Sequence, residues 1–275
     1  MENYFSNFLL ASELDNPQYF AKVHQNIYDL EKRRVAIFNE KGPLNWEYIT
    51  IMGELNMAYM EANETANEVT TAQQIYQGTV ALNGQDNSLA YEAYLALGAS
   101  FLDDERIADA QAIATELLEK NIQTPIAEGE EAFDYLTYLD TLCLQADIYH
   151  KAQDFAKEEP IRIKVMEAYR QLFSDVNDQT IMARAALATC LEKSKQYAKA
   201  LDHYIVIRAY LDAEKDLATD AERIGLMAHI AHCYKKIGQV ENSKVTLQWA
   251  LQESISLFGH DSTLTVKMRA LAGKL

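Results

Sequence analysis

His229, His232 and Cys233 fall within one short stretch and carry side chains that commonly ligate transition metals. Their i, i+3 spacing puts both imidazoles near one face of a helix, where they would supply two zinc ligands. Structural zinc takes four ligands, and no further Cys/His cluster completes the set, so no metal or other cofactor is expected. The stretch reads instead as a polar helix face, with Cys233 repeating the position of Cys190. His260 and Asp261 precede Ser262 and could suggest an acid–base pair beside a nucleophile. Triad partners converge in space rather than in sequence, so a loop with a helix cap is the better reading. The run Asp103, Asp104, Glu105 lacks the alternating ligand spacing of a calcium loop and reads as a solvated turn. Lys32, Arg33 and Arg34 form a basic cluster too small for nucleic acid and read as a solvated helix face. No glycine-rich phosphate loop, G-x-S-x-G or H-E-x-x-H occurs, and no enzyme is expected.

The elements that carry these residues follow from composition. Of 275 residues, 49% are apolar and 24% charged, enough for a core. Ten glycines and four prolines are too few turn formers for an all-β chain, while good helix formers dominate. The formal charge of −16 excludes a polyanion as partner, whether nucleic acid or an anionic membrane surface. No apolar run is long enough to span a bilayer. The start, MENYFSNFLLASELD, lacks the basic segment of a secretion signal. Three cysteines, Cys143, Cys190 and Cys233, fit reduced thiols and a cytoplasmic location. Charge is uneven: residues 1–140 hold 24 acidic and 7 basic residues, residues 141–275 hold 17 and 18.

Periodicity is the strongest signal. Leu187, Ala188, Leu191, Tyr197, Ala200, Tyr204 and Ile207 recur 43 positions later as Ile230, Ala231, Tyr234, Val240, Ser243, Leu247 and Ala250. Leu97, Gly98, Phe101, Ile107, Ala110 and Ala114 repeat the pattern, as do Ala146, Tyr149 and Phe155. The residue after the apolar one falls at 56, 98, 146, 188, 231 and 272, in steps of 42, 48, 42, 43 and 41. Such a period marks an array of stacked units. Small residues are placed where they let paired helices approach: Gly98, Ala188 and Ala231 against Ala110, Ala200 and Ser243, with Ala198 beside them. The aromatics at 101, 149, 204 and 234 fill the space between pairs.

These residues resemble the tetratricopeptide repeat, whose first helix carries a large apolar residue, then a small one, then Tyr, and whose second carries Ala, an aromatic and Ala. The period near 42 resembles the long-helix variety of kinesin light chains and bacterial peptide-pheromone receptors. The Gly-containing junctions NEKGPLNWEYIT and LFGHDSTLT are similar to theirs. Glu158 and Arg162 stand where that family has small or apolar residues.

The resemblance implies an all-α fold: a right-handed α-α superhelix, one solenoid domain over residues 1–275 with about six helical pairs. The pairs fall near 2–40, 44–82, 87–120, 131–172, 178–215 and 219–257. A capping helix over 263–274 begins at Asp261 or Ser262. Asn16 and Pro17 start the second helix of the first pair, and residues 121–131 form a longer loop that explains the step of 48.

The resemblance also implies a concave groove lined by the first helices. Its contact positions fall on Gly53, Glu54, Met57 and Met60, on Leu95, Ala99 and Leu102, and on Cys143, Asp147, His150 and Lys151. Further along they fall on Ala185, Thr189, Glu192, Ala228, His229, His232, Lys235 and Lys236, with Arg269 at the end. The lysines and asparagines with which some relatives clamp a chaperone tail are absent, as are the recurrent groove asparagines of the kinesin-light-chain and receptor types. A non-catalytic scaffold for a protein or peptide segment is the expected function. Alternatives are a sensor of a short signalling peptide or an enzyme built on a repeat body. Oligomeric state is not legible from these residues. The basic end at His232, Lys235, Lys236 and Arg269 would receive an acidic group of the ligand.

Overall fold

The computed structural model describes residues 17–122, 132–214 and 219–273, and in them the chain forms helices and no strand. The expected helix over 2–14, the Asn16 cap and residues 123–131 of the long loop lie outside the described residues. The chain divides into two compact units, with the boundary at Ala152/Gln153.

The first unit holds α1 (Pro17–Lys41), α2 (Trp46–Glu61), α3 (Thr65–Asn83), α4 (Ser88–Asp103), α5 (Ile107–Ile122) and α6 (Ala132–Lys151). Each helix packs on the next, and α4 also packs on α6. The second unit holds α7 (Phe155–Phe173), α8 (Asp178–Lys193), α9 (Tyr197–Ala213), α10 (Asp220–Lys236), α11 (Val240–Phe258) and α12 (Thr263–Ala272), again packed in order.

Two turn geometries alternate among the described connections. Turns from a first to a second helix place one residue in the left-handed region: Asn63, Glu105, Gln153, Lys195 and Gly238. At four of them the following N–H reaches back to the first helix, as in Gln196 N to Leu191 O (2.8 Å) and Gln239 N to Tyr234 O (2.9 Å). This closure satisfies carbonyls that the helix end would leave open. Glycine occupies only one of the five positions, so sequence inspection finds the turns by period rather than by glycine.

The junctions between pairs use a second device. Gly42, Gly84, Ser174 and Gly259 have positive φ, and three residues later Asn45, Asn87, Asn177 and Ser262 cap the next helix. Each cap side chain accepts from a first-turn N–H, for instance Tyr48 N to Asn45 Oδ1 at 3.0 Å. Of the two residues expected to cap the last helix, Ser262 does so, with Thr265 N donating at 3.1 Å.

The small residues do lie between helices. Ala110, Ala188, Ala200, Ala231 and Ser243 are all fully buried. Ser243 Oγ donates to Ala231 O at 2.7 Å, an approach that larger side chains would prevent. A methyl group on Gly98 would meet Ile113 of α5 and Leu144 of α6, so that glycine serves the next first helix as much as its own partner. Ala198 departs from expectation: it is exposed, because two residues along a helix is a turn of some 200° away from Ala200. Tyr204 is fully buried and Phe101 nearly so, while Tyr149 and Tyr234 are half-buried.

Glu158 and Arg162 are buried rather than displaced to the surface. They form an ion pair at 3.2 Å with side chains 0% and 5% exposed. Burial, reinforced by Glu158, pushes the Cys190 thiol up to about 12. The basic cluster on α1 also does more than face water. Arg34 bonds Glu31 (2.8 Å) and Tyr48 (3.4 Å), and Arg33 bonds Glu54 (3.0 Å), which ties α1 to α2.

Two substitutions test these placements. Ala200→Leu lowers the unfolding free energy by about 1–3 kcal/mol through overpacking, and Ala198→Leu changes it by less than about 0.5 kcal/mol. Equal effects in chemical denaturation would show that the buried face is misassigned. Ser174, at φ 106° and ψ 171°, occupies backbone space that suits glycine. Ser174→Gly therefore raises stability by about 1 kcal/mol, read as a higher melting temperature; an unchanged or lower value would remove the strain argument.

Candidate functional site

The second unit assembles a polar cluster from three helices. Glu192 lies at the C-terminal end of α8, and His229 and His232 on α10. Tyr197 opens α9 and Tyr204 lies two turns further in. Glu192 Oε2 accepts from the Tyr204 hydroxyl at 2.7 Å and lies 2.7 Å from His229 Nδ1. Its Oε1 is 3.9 Å from His232 Nε2, beyond hydrogen-bond range. His232 meets Tyr197 edge-on with ring centroids 5.6 Å apart, and Lys236 Nζ sits 5.8 Å from the centre of the same ring.

The electrostatics follow from partial burial. Burial of Glu192 opposes its ionisation, but the bonds from His229 and Tyr204 and the nearby imidazoles prevail and hold the carboxyl below its ordinary range. The Tyr204 hydroxyl is driven up, by burial first and then by Glu192. His232 is held low by burial and by Lys236, His229 and Lys235, with Glu192 acting in the opposite sense. Burial pushes the Cys233 thiol up to about 12, and this residue is fully buried, away from the imidazoles. Among the described residues no group of three His, Cys, Asp or Glu side chains is arranged to hold a metal ion. All three cysteines are free thiols.

The first unit presents a different face. Asp103 on α4 is raised by burial and by Asp147 on α6, with Lys151 opposing, and Glu92 is raised by burial and by Asp140. Gln111 and Gln145 exchange two amide hydrogen bonds, at 3.1 and 2.9 Å, across α5 and α6. Tyr94 donates to Glu116 and Tyr59 to Glu31, both at 2.8 Å, so a tyrosine–carboxylate bond recurs along the chain. A shallow hollow of about 330 Å³ between α1 and α2 is floored by Ile37 and Ile51 and rimmed by Arg33, Glu47 and Glu54. Its rim charges are paired, Arg33 with Glu54 and Glu47 with Lys41.

The expected groove positions divide into several groups. Met57 is 56% exposed, and Glu54 is exposed in its pair with Arg33. Gly53, Met60, Ala99, Cys143, Asp147, His150 and Ala228 are half-buried, and Lys151, Lys235 and Lys236 are exposed. Leu95 is half-buried against the core of its unit, and Thr189 bonds back to Ala185 O at 3.1 Å. Ala185 and Leu102 are 2% and 6% exposed, so they build the core and leave no surface for a ligand. Arg269 is exposed but bonds His260 O at 3.3 Å, turning toward the junction before α12. Glu192, His229 and His232 come together; Tyr197 and Tyr204, which the repeat pattern marks only as packing positions, join them. A buried tyrosine hydroxyl needs a partner, and the fully buried Tyr204 signals that partner once α8 and α9 are paired.

Paired helices in sequential stacking, with polar and half-open side chains on the first helices, define a TPR-like helical-repeat fold. Solved structures share that fold. BtubC (BKLC) from P. vanneervenii superposes with a TM-score of 0.64 over 87% of this chain and 91% of its own, at 12% identity. The TPR-like repeats of a Podosopora anserina putative kinesin light chain give a TM-score of 0.57 over 75% of this chain and 95% of their own, also at 12% identity. A single-substitution form of those repeats gives 0.57 over 74% and 93%, at 13% identity. No family model and no curated protein matches the sequence. No helix among the described residues is long and apolar enough to cross a membrane.

The cluster makes a pH-dependent prediction. Glu192→Ala removes the carboxylate that accepts from the buried Tyr204 hydroxyl and lowers the unfolding free energy by about 1–3 kcal/mol at pH 7. A carboxyl depressed in the folded state contributes fully above its unfolded value of about 4.3, and that contribution is lost as pH falls through the folded value. The gap between wild type and variant, measured by urea unfolding, therefore narrows below about pH 4. A gap that stays constant down to about pH 3 would mean that the ionised carboxylate contributes nothing.

Proposed function

We propose that this protein is a non-catalytic scaffold that binds a protein or peptide segment on the first-helix faces of its repeats. The carrying observation is the state of those faces. The same helices that bury Leu55, Leu97, Leu187 and Ile230 leave Met57, Ala99, Thr189 and His232 at least partly open two positions further on. A preformed row of such positions is suited to an extended or helical ligand, with affinity arising from surface complementarity. The Glu192 cluster supports binding over catalysis, because its carboxylate is engaged by Tyr204 and His229 and its tyrosine is buried. Free thiols at Cys143, Cys190 and Cys233 suit a reducing, cytoplasmic setting.

Site-specific photocrosslinking in native extract tests the proposal. Photoreactive residues at Met57, Thr189 and His232 crosslink to partner, whereas those at Ile163 and Val245 on second helices do not. The paired charge reversals His232→Glu and Lys236→Glu weaken the recovered partner about tenfold or more, and Val245→Glu leaves it unchanged. Crosslinks confined to Ile163 and Val245 would overturn the assignment.

A further inference from the structure

Within that binding role, and resting on it, the end of α10 carries a more specific signal. His232, Lys235 and Lys236 are all exposed, and their i, i+3, i+4 spacing places them on one side of the last turns. The backbone oxygens there are already engaged: Ile237 N donates to Cys233 O, Gly238 N to Lys235 O and Gln239 N to Tyr234 O. Tyr197 lies beside both His232 and Lys236. The acidic neighbour, Glu192, faces His232 from α8 but commits its other oxygen to Tyr204 of α9 and His229 of α10. The charged groups that act most strongly on His232 are Glu192, Lys236, His229 and Lys235.

We propose that this end of α10 is an oxyanion-binding subsite whose affinity is coupled to proton uptake by His232. The ligand group is an oxyanion borne by an acidic side chain or a phosphoryl group. The coupling follows from charge. Partial desolvation of the half-open imidazole and the neighbouring cations disfavour the imidazolium in the free protein. A bound oxyanion adds negative charge to that of Glu192, so the proton binds more readily in the complex. Linkage is reciprocal, and binding tightens as pH falls through the range just below about 6.5. It levels off once His232 is protonated without ligand.

Sulfate and acetate, at constant ionic strength, are the probes, with histidine ring resonances followed by NMR. Sulfate keeps its charge between about pH 7.5 and 5.5, so any change in affinity belongs to the protein. The dissociation constant for sulfate falls about fivefold or more over that interval, as expected for an imidazole that gains a proton on binding. His232→Asn abolishes the pH dependence, whereas Lys236→Gln weakens binding at both ends of the interval and retains it. Glu192→Gln, with its fold verified by circular dichroism, tightens sulfate at the upper end because an opposing charge is removed. Acetate matching sulfate identifies a carboxylate ligand group, and sulfate alone a phosphoryl group. Absence of a sulfate-induced shift at His232, or unchanged pH dependence in His232→Asn, would overturn the subsite. That failure with crosslinks retained at Thr189 and His232 leaves the binding role standing. Sulfate binding without those crosslinks removes the binding role and keeps the subsite.

Discussion

The close approach of helices at positions without side-chain bulk is the constraint on which the architecture rests. Ala188, Ala200 and Ala231 are fully buried, and the Ser243 hydroxyl reaches the Ala231 carbonyl directly. A helix forgoes the burial of a larger residue at these points, and in return its neighbours can pack along their whole length. The space that opens on either side takes the large side chains, Tyr204 and Leu191 among them. Burial of apolar surface then accumulates along each unit instead of at one centre.

Much of this is legible in the sequence because the constraint leaves a periodic trace. A small residue every 42 or so positions has no cause in an ordinary bundle, and it locates the pairs by itself. What escapes depends on angles about the helix axis and on pairing between distant segments. Ala198 and Ala185 illustrate the first: a shift of one or two residues rotates a side chain from open surface to core, and the repeat pattern puts both on the wrong side. Glu158 and Arg162 illustrate the second. Each alone contradicts a core position, and only together, one turn apart, do they satisfy it.

The candidate site is legible in the same partial way. Glu192, His229 and His232 can be assigned to first helices, yet the contact between Glu192 and His229 spans 37 residues and two repeats. No local spacing encodes it. Tyr204 reads as a core aromatic, and periodicity says nothing of its hydroxyl, although a buried hydroxyl must bond to something. Arg269 groups with the lysines of α10 by charge, but the carbonyl of His260 offers its guanidinium a nearer partner. Polar side chains in a repeat array are thus placed by the register between neighbours, which periodicity alone does not specify.

Sequential packing has a mechanical corollary. Within either unit almost every helix touches only the helices before and after it in the chain. Among the described residues, pulling on either unit would load one hairpin at a time, because each helix is held mainly by its neighbours in sequence. Extension should then proceed as a staircase of small, similar steps rather than one abrupt rupture, and refolding should zip back along the same ladder. A protein built in this manner can lengthen under tension and still keep most of its surface in working order.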